Sequence, residues 1–110
     1  MTIKILFSAT SWDCDQTIVY GFNENKILKR SRSISYGSCT VNAYVPLANF
    51  INKKFLVQDS DVNVIHNIQS YKLEKFNTLN RKFCTLEKSG PNLLSFLNKE
   101  NFKVNYTVVP

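Results

Sequence analysis

Several residue types and patterns are scarce in this chain of 110 residues, and each scarcity excludes a class of protein. No window approaches eighteen consecutive apolar residues, which excludes an ordinary transmembrane helix. The three glycines are too dispersed to form a phosphate-binding loop. No acidic residue occurs between residues 25 and 58, so a cluster of carboxylates must draw on the rest of the chain.

Cysteine and histidine are also scarce. Cys14, Cys39 and Cys84 are odd in number and lack CxxC spacing, so we expect free thiols in a reducing, cytoplasmic environment rather than disulfides or a zinc site. The N-terminus, with one early lysine and a short apolar run, is a poor match to a signal peptide. His66 lies in an apolar pattern and is interpreted as a helix residue rather than a general base. Neither Cys84 nor Cys39 has a partner evident in the sequence that would activate the thiol, which argues against a Cys–His nucleophile.

Positive charge is plentiful by contrast. Fourteen Lys and Arg against eight Asp and Glu give a net charge of +6, which fits either an anionic partner such as nucleic acid or a basic solvated surface. The abundance of Asn and Lys is typical of an AT-rich genome such as that of a phage or virus. With 44% hydrophobic residues, the chain is expected to fold as one domain over residues 1–110.

The apolar pattern predicts strands and helices in a definite order. Strands are expected at 3–8, 17–22, 27–36, 55–58 and 102–109, with the first in a central position and the second and third joined as a hairpin at Asn23–Lys26. Helices are expected from Val41 onward, from Ser60 onward and within PNLLSFLNKEN after a break at Ser89–Gly90–Pro91. Thr40 or Ser38 would cap the first helix, and Pro46 would bend or delay it. Residues 69–82 are expected to form a loop.

This order of elements resembles the ribonuclease H fold, and more specifically the bacterial type I ribonuclease H family. The segment VQDSDVNVIHNIQSYKLEKFN resembles the family's fourth strand, which ends in an Asp-Ser pair that opens a helix. The ending FKVNYTVVP is similar to the family's fifth strand. The resemblance implies an α/β fold, with a single mixed five-stranded sheet that begins with three antiparallel strands and is flanked by helices.

The same resemblance implies two divalent metals held by acidic residues, but most of those acids are missing here. Asp59 matches the acid at the end of the fourth strand, whereas the acids of the first strand and central helix have no counterpart. The helix that carries the last acid would follow Pro110. Asp13 and Asp15 are candidate substitutes, so an active nuclease would use Asp59, Asp13 and Asp15 with Mg²⁺ or Mn²⁺. We expect otherwise no cofactor.

The sequence therefore favours a catalytically degenerate binding module for nucleic acid (RNA, DNA or a hybrid) or for a protein partner. Candidate contacts with nucleic acid are Lys26, Lys29, Arg30 and Arg32, with Trp12 and Tyr36 as aromatic platforms. Arg30 and Arg32 would share one strand face, although a charged strand also protects a sheet edge. The alternatives are a divergent metal-dependent ribonuclease and a small viral factor that modulates a host protein. An exposed sheet edge would also suit a homodimer.

Overall fold

The chain divides into two compact units, Met1–Val57 and Gln58–Pro110. The structure, a computed structural model, describes residues 4–67, 69–71 and 84–109. Each unit has its own parallel sheet, one of three strands and one of two. The expected single five-stranded sheet with an antiparallel start, and with it the ribonuclease H-like architecture, is therefore wrong, although the α/β class is correct.

The first unit is built from three short strands and a long helix. The strands are β1 (Ile5–Phe7), β2 (Gln16–Thr17) and β3 (Ser33–Ser35), and β3 lies in the middle and runs parallel to both neighbours. β1 lies at the sheet edge, and its three apolar side chains are 42–58% exposed, so the expected central position is wrong. Between β2 and β3 the chain makes a turn and a short 3₁₀ helix, Glu24–Lys26.

The expected hairpin between the second and third strands is absent because the connection is too long and too structured. Side-chain contacts bind the 3₁₀ helix to the preceding segment: Asn23 Oδ1 accepts the Val19 N–H at 2.7 Å, and Asn23 Nδ2 donates to the Thr17 carbonyl at 3.0 Å. The chain then returns to place β3 beside β2 in the same direction, and parallel strands require such a crossover. Asn23 thus builds a crossover instead of the tight turn that its residue type suggested.

The helix α1 (Cys39–Phe55) follows β3 after a tight junction. Gly37 has a φ of +75°, and a Cβ there would lie 3.3 Å from Val41 Cγ1, so both conformation and space favour glycine. Ser38 caps the helix, since its Oγ accepts the Val41 N–H at 3.2 Å. The helix has 17 residues and begins at Cys39 with Pro46 inside it, so Pro46 does not delay its start. Its buried side chains are Val41, Val45 and Ala48.

The end of α1 also departs from expectation. Residues 55–58 were predicted as a strand, but Phe55 closes the helix and Leu56 takes a φ of +59°. The Leu56 N–H donates to the Asn52 carbonyl at 3.0 Å, which satisfies one of the helix's last carbonyls. The apolar run is therefore a helix end rather than a sheet element.

The second unit contains two eight-residue strands, β4 (Ser60–Asn67) and β5 (Phe102–Val109), which pair in parallel along their whole length. The strand predicted at 102–109 is confirmed. The helix predicted from Ser60 is wrong because exposure in β4 alternates residue by residue, which is the period of a strand. Of the loop expected at 69–82, residues 72–82 lie outside the described residues, as does Ile68, which belongs to the helix predicted from Ser60.

The helix α2 (Thr85–Leu93) packs on β5 in the same unit. Gly90 and Pro91 lie inside it, so the break expected there is wrong, and the helix ends before most of the predicted PNLLSFLNKEN segment. A Cβ on Gly90 would lie 2.9 Å from Phe102 Cε1, which explains glycine here as a close approach rather than a helix stop. Among the described residues of this unit, the buried apolar side chains are Cys84, Leu86, Leu94, Leu97, Phe102 and Val104.

Candidate functional site

The three candidate acidic residues do not form a metal centre in the described structure. Asp13 and Asp15 precede β2 in the first unit, Asp59 precedes β4 in the second, and all three are exposed. Over residues 4–67, 69–71 and 84–109, no group of three or more His, Cys, Asp or Glu side chains could hold a metal ion. Residues that would fit Mg²⁺ or Mn²⁺ are therefore not assembled in the part of the chain that the structure describes.

Asp15 has a clear structural role instead. Its Oδ2 accepts the N–H groups of Arg32 at 2.7 Å and Ser33 at 3.1 Å, and its own N–H donates to Ser33 Oγ at 3.0 Å. The two backbone N–H groups that bind Oδ2, first that of Arg32 and then that of Ser33, lower the pKa of the Asp15 carboxyl below its ordinary value of 3.8. The carboxylate thus fixes the start of β3, and two of its acceptor positions are already used.

The candidate basic residues lie together in one exposed segment. Lys26 ends the 3₁₀ helix, Lys29 and Arg30 form a turn, and Arg32 immediately precedes β3, so Arg30 and Arg32 are not on a strand face as expected. All four side chains are exposed. The ammonium group of Lys4 donates to the Leu28 carbonyl at 3.0 Å and also to that of Ser31, which anchors this segment to the start of β1.

Trp12 and Tyr36, the candidate stacking residues, are 46% and 43% exposed. Trp12 lies in the bend between β1 and β2, and Tyr36 directly follows β3. Their rings are accessible to a planar ligand, but so are many other apolar side chains of this unit. Exposure alone does not assign them a partner.

The sequence did not lead us to predict a functional role for Cys39, but the position of its thiol suggests one. None of the three cysteines forms a disulfide, as expected. Cys84 is buried, Cys14 is half-buried and Cys39 is exposed. Cys39 is the first residue of α1, directly after the Ser38 cap. Reactive cysteines in proteins are found at such helix N-termini in partly exposed settings. The signal was present in the sequence, since a predicted cap at Ser38 places Cys39 in the first turn.

Asn42, one helical turn after Cys39, was also missed. Its Nδ2 donates to the Tyr36 carbonyl at 2.7 Å and to the Ser38 carbonyl at 2.8 Å. These two bonds secure the loop that leads into the helix. They also commit both N–H groups of the amide and leave Oδ1 as its remaining polar atom.

Comparison with known proteins places part of this chain beside a dehydrogenase. No protein-family model matches the chain. A stretch of 63 residues, 57% of the chain, is 36% identical to part of the glyceraldehyde-3-phosphate dehydrogenase of Lactobacillus delbrueckii subsp. bulgaricus. The match covers 19% of that protein, so the chain corresponds to less than a quarter of its length. Among the described residues, no helix is both long enough and apolar enough to cross a lipid bilayer.

Proposed function

We propose that Cys39 is a nucleophile that adds to the carbonyl carbon of a phosphorylated aldehyde. The observation that carries the proposal is an exposed thiol at the first residue of a capped helix, in a chain partly similar to a dehydrogenase named for glyceraldehyde 3-phosphate. Dehydrogenases are among the enzymes that use reactive cysteines. The proposal concerns the addition step, which needs no further reactant.

The chemistry of this step is balanced within the two partners. The Cys39 sulfur forms a bond to the aldehyde carbon, the C=O double bond becomes a single bond, and the thiol proton ends on the former carbonyl oxygen. Negative charge develops on that oxygen during the addition. Backbone N–H groups in the first turn of a helix are donors of the kind that stabilise such charge.

The test measures how fast each thiol is alkylated in the intact chain. The protein is treated with iodoacetamide, and labelling at each cysteine is followed by mass spectrometry with and without glyceraldehyde 3-phosphate. We expect the aldehyde to slow labelling of Cys39 and to leave the half-buried Cys14 unaffected. Glycerol 3-phosphate, which has the phosphate but no carbonyl, should give no protection.

The Cys39→Ser variant should lose the protected label and keep labelling at Cys14. Cys14→Ser is the matched control and should retain both labelling and protection at Cys39. Equal protection by glycerol 3-phosphate, or equal protection of Cys14 and Cys39, would contradict covalent capture of the aldehyde.

A second candidate function is binding to nucleic acid through the exposed segment 26–32. The observation that favours it is the clustering of Lys26, Lys29, Arg30 and Arg32, all exposed, within seven residues. Phosphate contacts of this kind release counterions, so the affinity must fall steeply as salt rises. Binding to RNA, DNA and hybrid duplex would be measured at two salt concentrations.

The matched variants for this candidate are Arg30→Gln with Lys29→Gln, and Lys53→Gln with Lys54→Gln at the end of α1. The first pair should weaken binding to all three nucleic acids and flatten the salt dependence, whereas the second should have little effect. No binding at low salt, or an equal loss with both pairs, would refute a role for segment 26–32.

A further inference from the structure

The first unit contains a cleft whose lining includes neither Cys39 nor any of the four basic residues of segment 26–32. We call it the tyrosine cleft. It has a volume of about 450 Å³, which is within the range of small-molecule sites in proteins. Its lining residues are Ile18, Tyr20, Glu24, Ile27, Tyr36 and Asn42.

Hydrogen bonds hold the walls of the tyrosine cleft in place. The side chain of Gln16 joins β2 to the segment that follows the 3₁₀ helix: its Nε2 donates to the Lys26 carbonyl at 3.1 Å, and its Oε1 accepts the Leu28 N–H at 2.9 Å. Asn23 ties the other end of that helix to residues 17 and 19. Because these bonds join residues of the chain itself, they order the walls independently of any ligand, and such preorganisation favours affinity.

Two of the side chains that line the cleft, Glu24 and Asn42, offer acceptor oxygens. Glu24 Oε2 accepts the Gly21 N–H at 2.9 Å, and its second carboxylate oxygen can accept a further donor. Asn42 has committed both N–H groups to backbone carbonyls, so its remaining polar atom is an oxygen. Among the described lining residues the Glu24 carboxylate is the one charged group, so the local charge favours a cationic ligand over an anionic one.

We propose that the tyrosine cleft binds an aromatic amine. The rings of Tyr20 and Tyr36 offer faces for an aromatic body and attract a cation, Ile18 and Ile27 supply apolar contact, and the Glu24 carboxylate accepts the N–H donors of the amine. The proposal is independent of aldehyde addition at Cys39, since no lining residue is the nucleophile.

Tryptamine is the test probe, and indole-3-propionate is its matched control because it carries the same ring with a carboxylate in place of the amine. Both are titrated into the ¹⁵N-labelled full chain, and amide shifts are followed by NMR. Tryptamine should shift the amides of Gly21, Glu24 and Asn42, with a Kd of about 1 mM, as expected for a small fragment. Indole-3-propionate should cause no saturable shift at these amides.

Two variants locate the site. Glu24→Gln keeps the shape of the side chain but removes the charge, and should raise the Kd for tryptamine roughly three- to tenfold, as for loss of an exposed charge-assisted hydrogen bond. Tyr20→Leu removes a ring that is 85% exposed, so the fold should persist while the Kd rises. Glu100→Gln, an exposed residue of the second unit, is the control and should leave the Kd unchanged.

Binding of indole-3-propionate as tight as that of tryptamine would overturn the proposal, as would an unchanged Kd in Glu24→Gln or shifts confined to other residues. Since Cys39→Ser should not alter tryptamine binding, failure of the thiol proposal and failure of this one give different results.

Discussion

Several polar residues of this chain stabilise the fold although their residue types suggested a different role, such as metal binding. Asp15 was a candidate metal ligand, but its carboxylate accepts two backbone N–H groups at the start of β3. Asn23 was expected in a hairpin and instead binds residues 17 and 19. Cys39 was passed over and is the exposed thiol. Geometry, more than residue type, separates these roles.

Asp15 should make stability depend on pH. Its folded-state pKa is lowered by backbone hydrogen bonds, so its contribution is present above the ordinary value of 3.8 and is lost as the pH falls through the folded-state pKa. In Asp15→Asn the charge is absent at every pH. The urea midpoint of the variant should therefore lie below that of the native chain at pH 7, and the gap should close in acid.

The control for this experiment is Asp13→Asn, which alters an exposed carboxylate two residues away. It should leave the urea midpoint nearly unchanged at both pH values. A gap in Asp15→Asn that does not narrow at all as the pH falls below 3.8 would mean that loss of the charge is not the cause.

At the scale of elements, the sequence predicted some segments and missed others for identifiable reasons. β5 was predicted with its observed bounds because FKVNYTVV has strong β propensity throughout. β4 was mistaken for a helix because Val62 and Ile65 also fit helical spacing, and Asp-Ser is a common helix start. Its partner strand lies far along the chain, so local patterns cannot reveal it.

Cys39 could have been found from the predicted cap, whereas the tyrosine cleft depends on a crossover that no motif encodes.

The contact between α2 and β5 is tight at Gly90, and this gives a prediction with a definite sign. Replacing glycine by alanine inside a helix normally stabilises it by about 1 kcal/mol. Here the new Cβ would lie 2.9 Å from Phe102 Cε1 and 3.0 Å from Cζ. Both residues are buried, so Gly90→Ala should destabilise the protein by about 1–3 kcal/mol through overpacking, as measured by urea denaturation.

The double variant Gly90→Ala with Phe102→Leu separates packing from other effects. A smaller side chain at position 102 should reduce the cost of the added methyl group, so the effects of the two changes should be strongly non-additive. Additive losses, or a Gly90→Ala variant more stable than the native chain, would show that the Phe102 ring can move aside.

At the scale of the whole molecule, each of the two units has buried apolar residues and its own sheet. Ile34 on β3 is 2% exposed, and Leu86 on α2 is fully buried. Truncating a buried Ile or Leu to Ala costs about 2–5 kcal/mol. We expect each substitution to lower stability mainly within the unit that carries it.

The paired variants Ile34→Ala and Leu86→Ala test this expectation by amide hydrogen exchange. Ile34→Ala should lower protection within Met1–Val57 and leave the amides of β4 and β5 protected, and Leu86→Ala should do the reverse. A parallel loss of protection in both units with either variant would mean that the chain unfolds as one cooperative body.

The pairing of β4 with β5 has a consequence for synthesis on the ribosome. Ser60 pairs with Phe102, and every other pair in this ladder has the same separation of 42 residues. Folding of this sheet cannot begin with a hairpin, because each of the eight residue pairs forms only after the same long chain segment has closed. At about 5–20 residues per second, β4 leaves the ribosome about 2–8 seconds before its partner. During that interval its backbone groups are open to any other strand, so a chaperone that binds extended segments would find its target here.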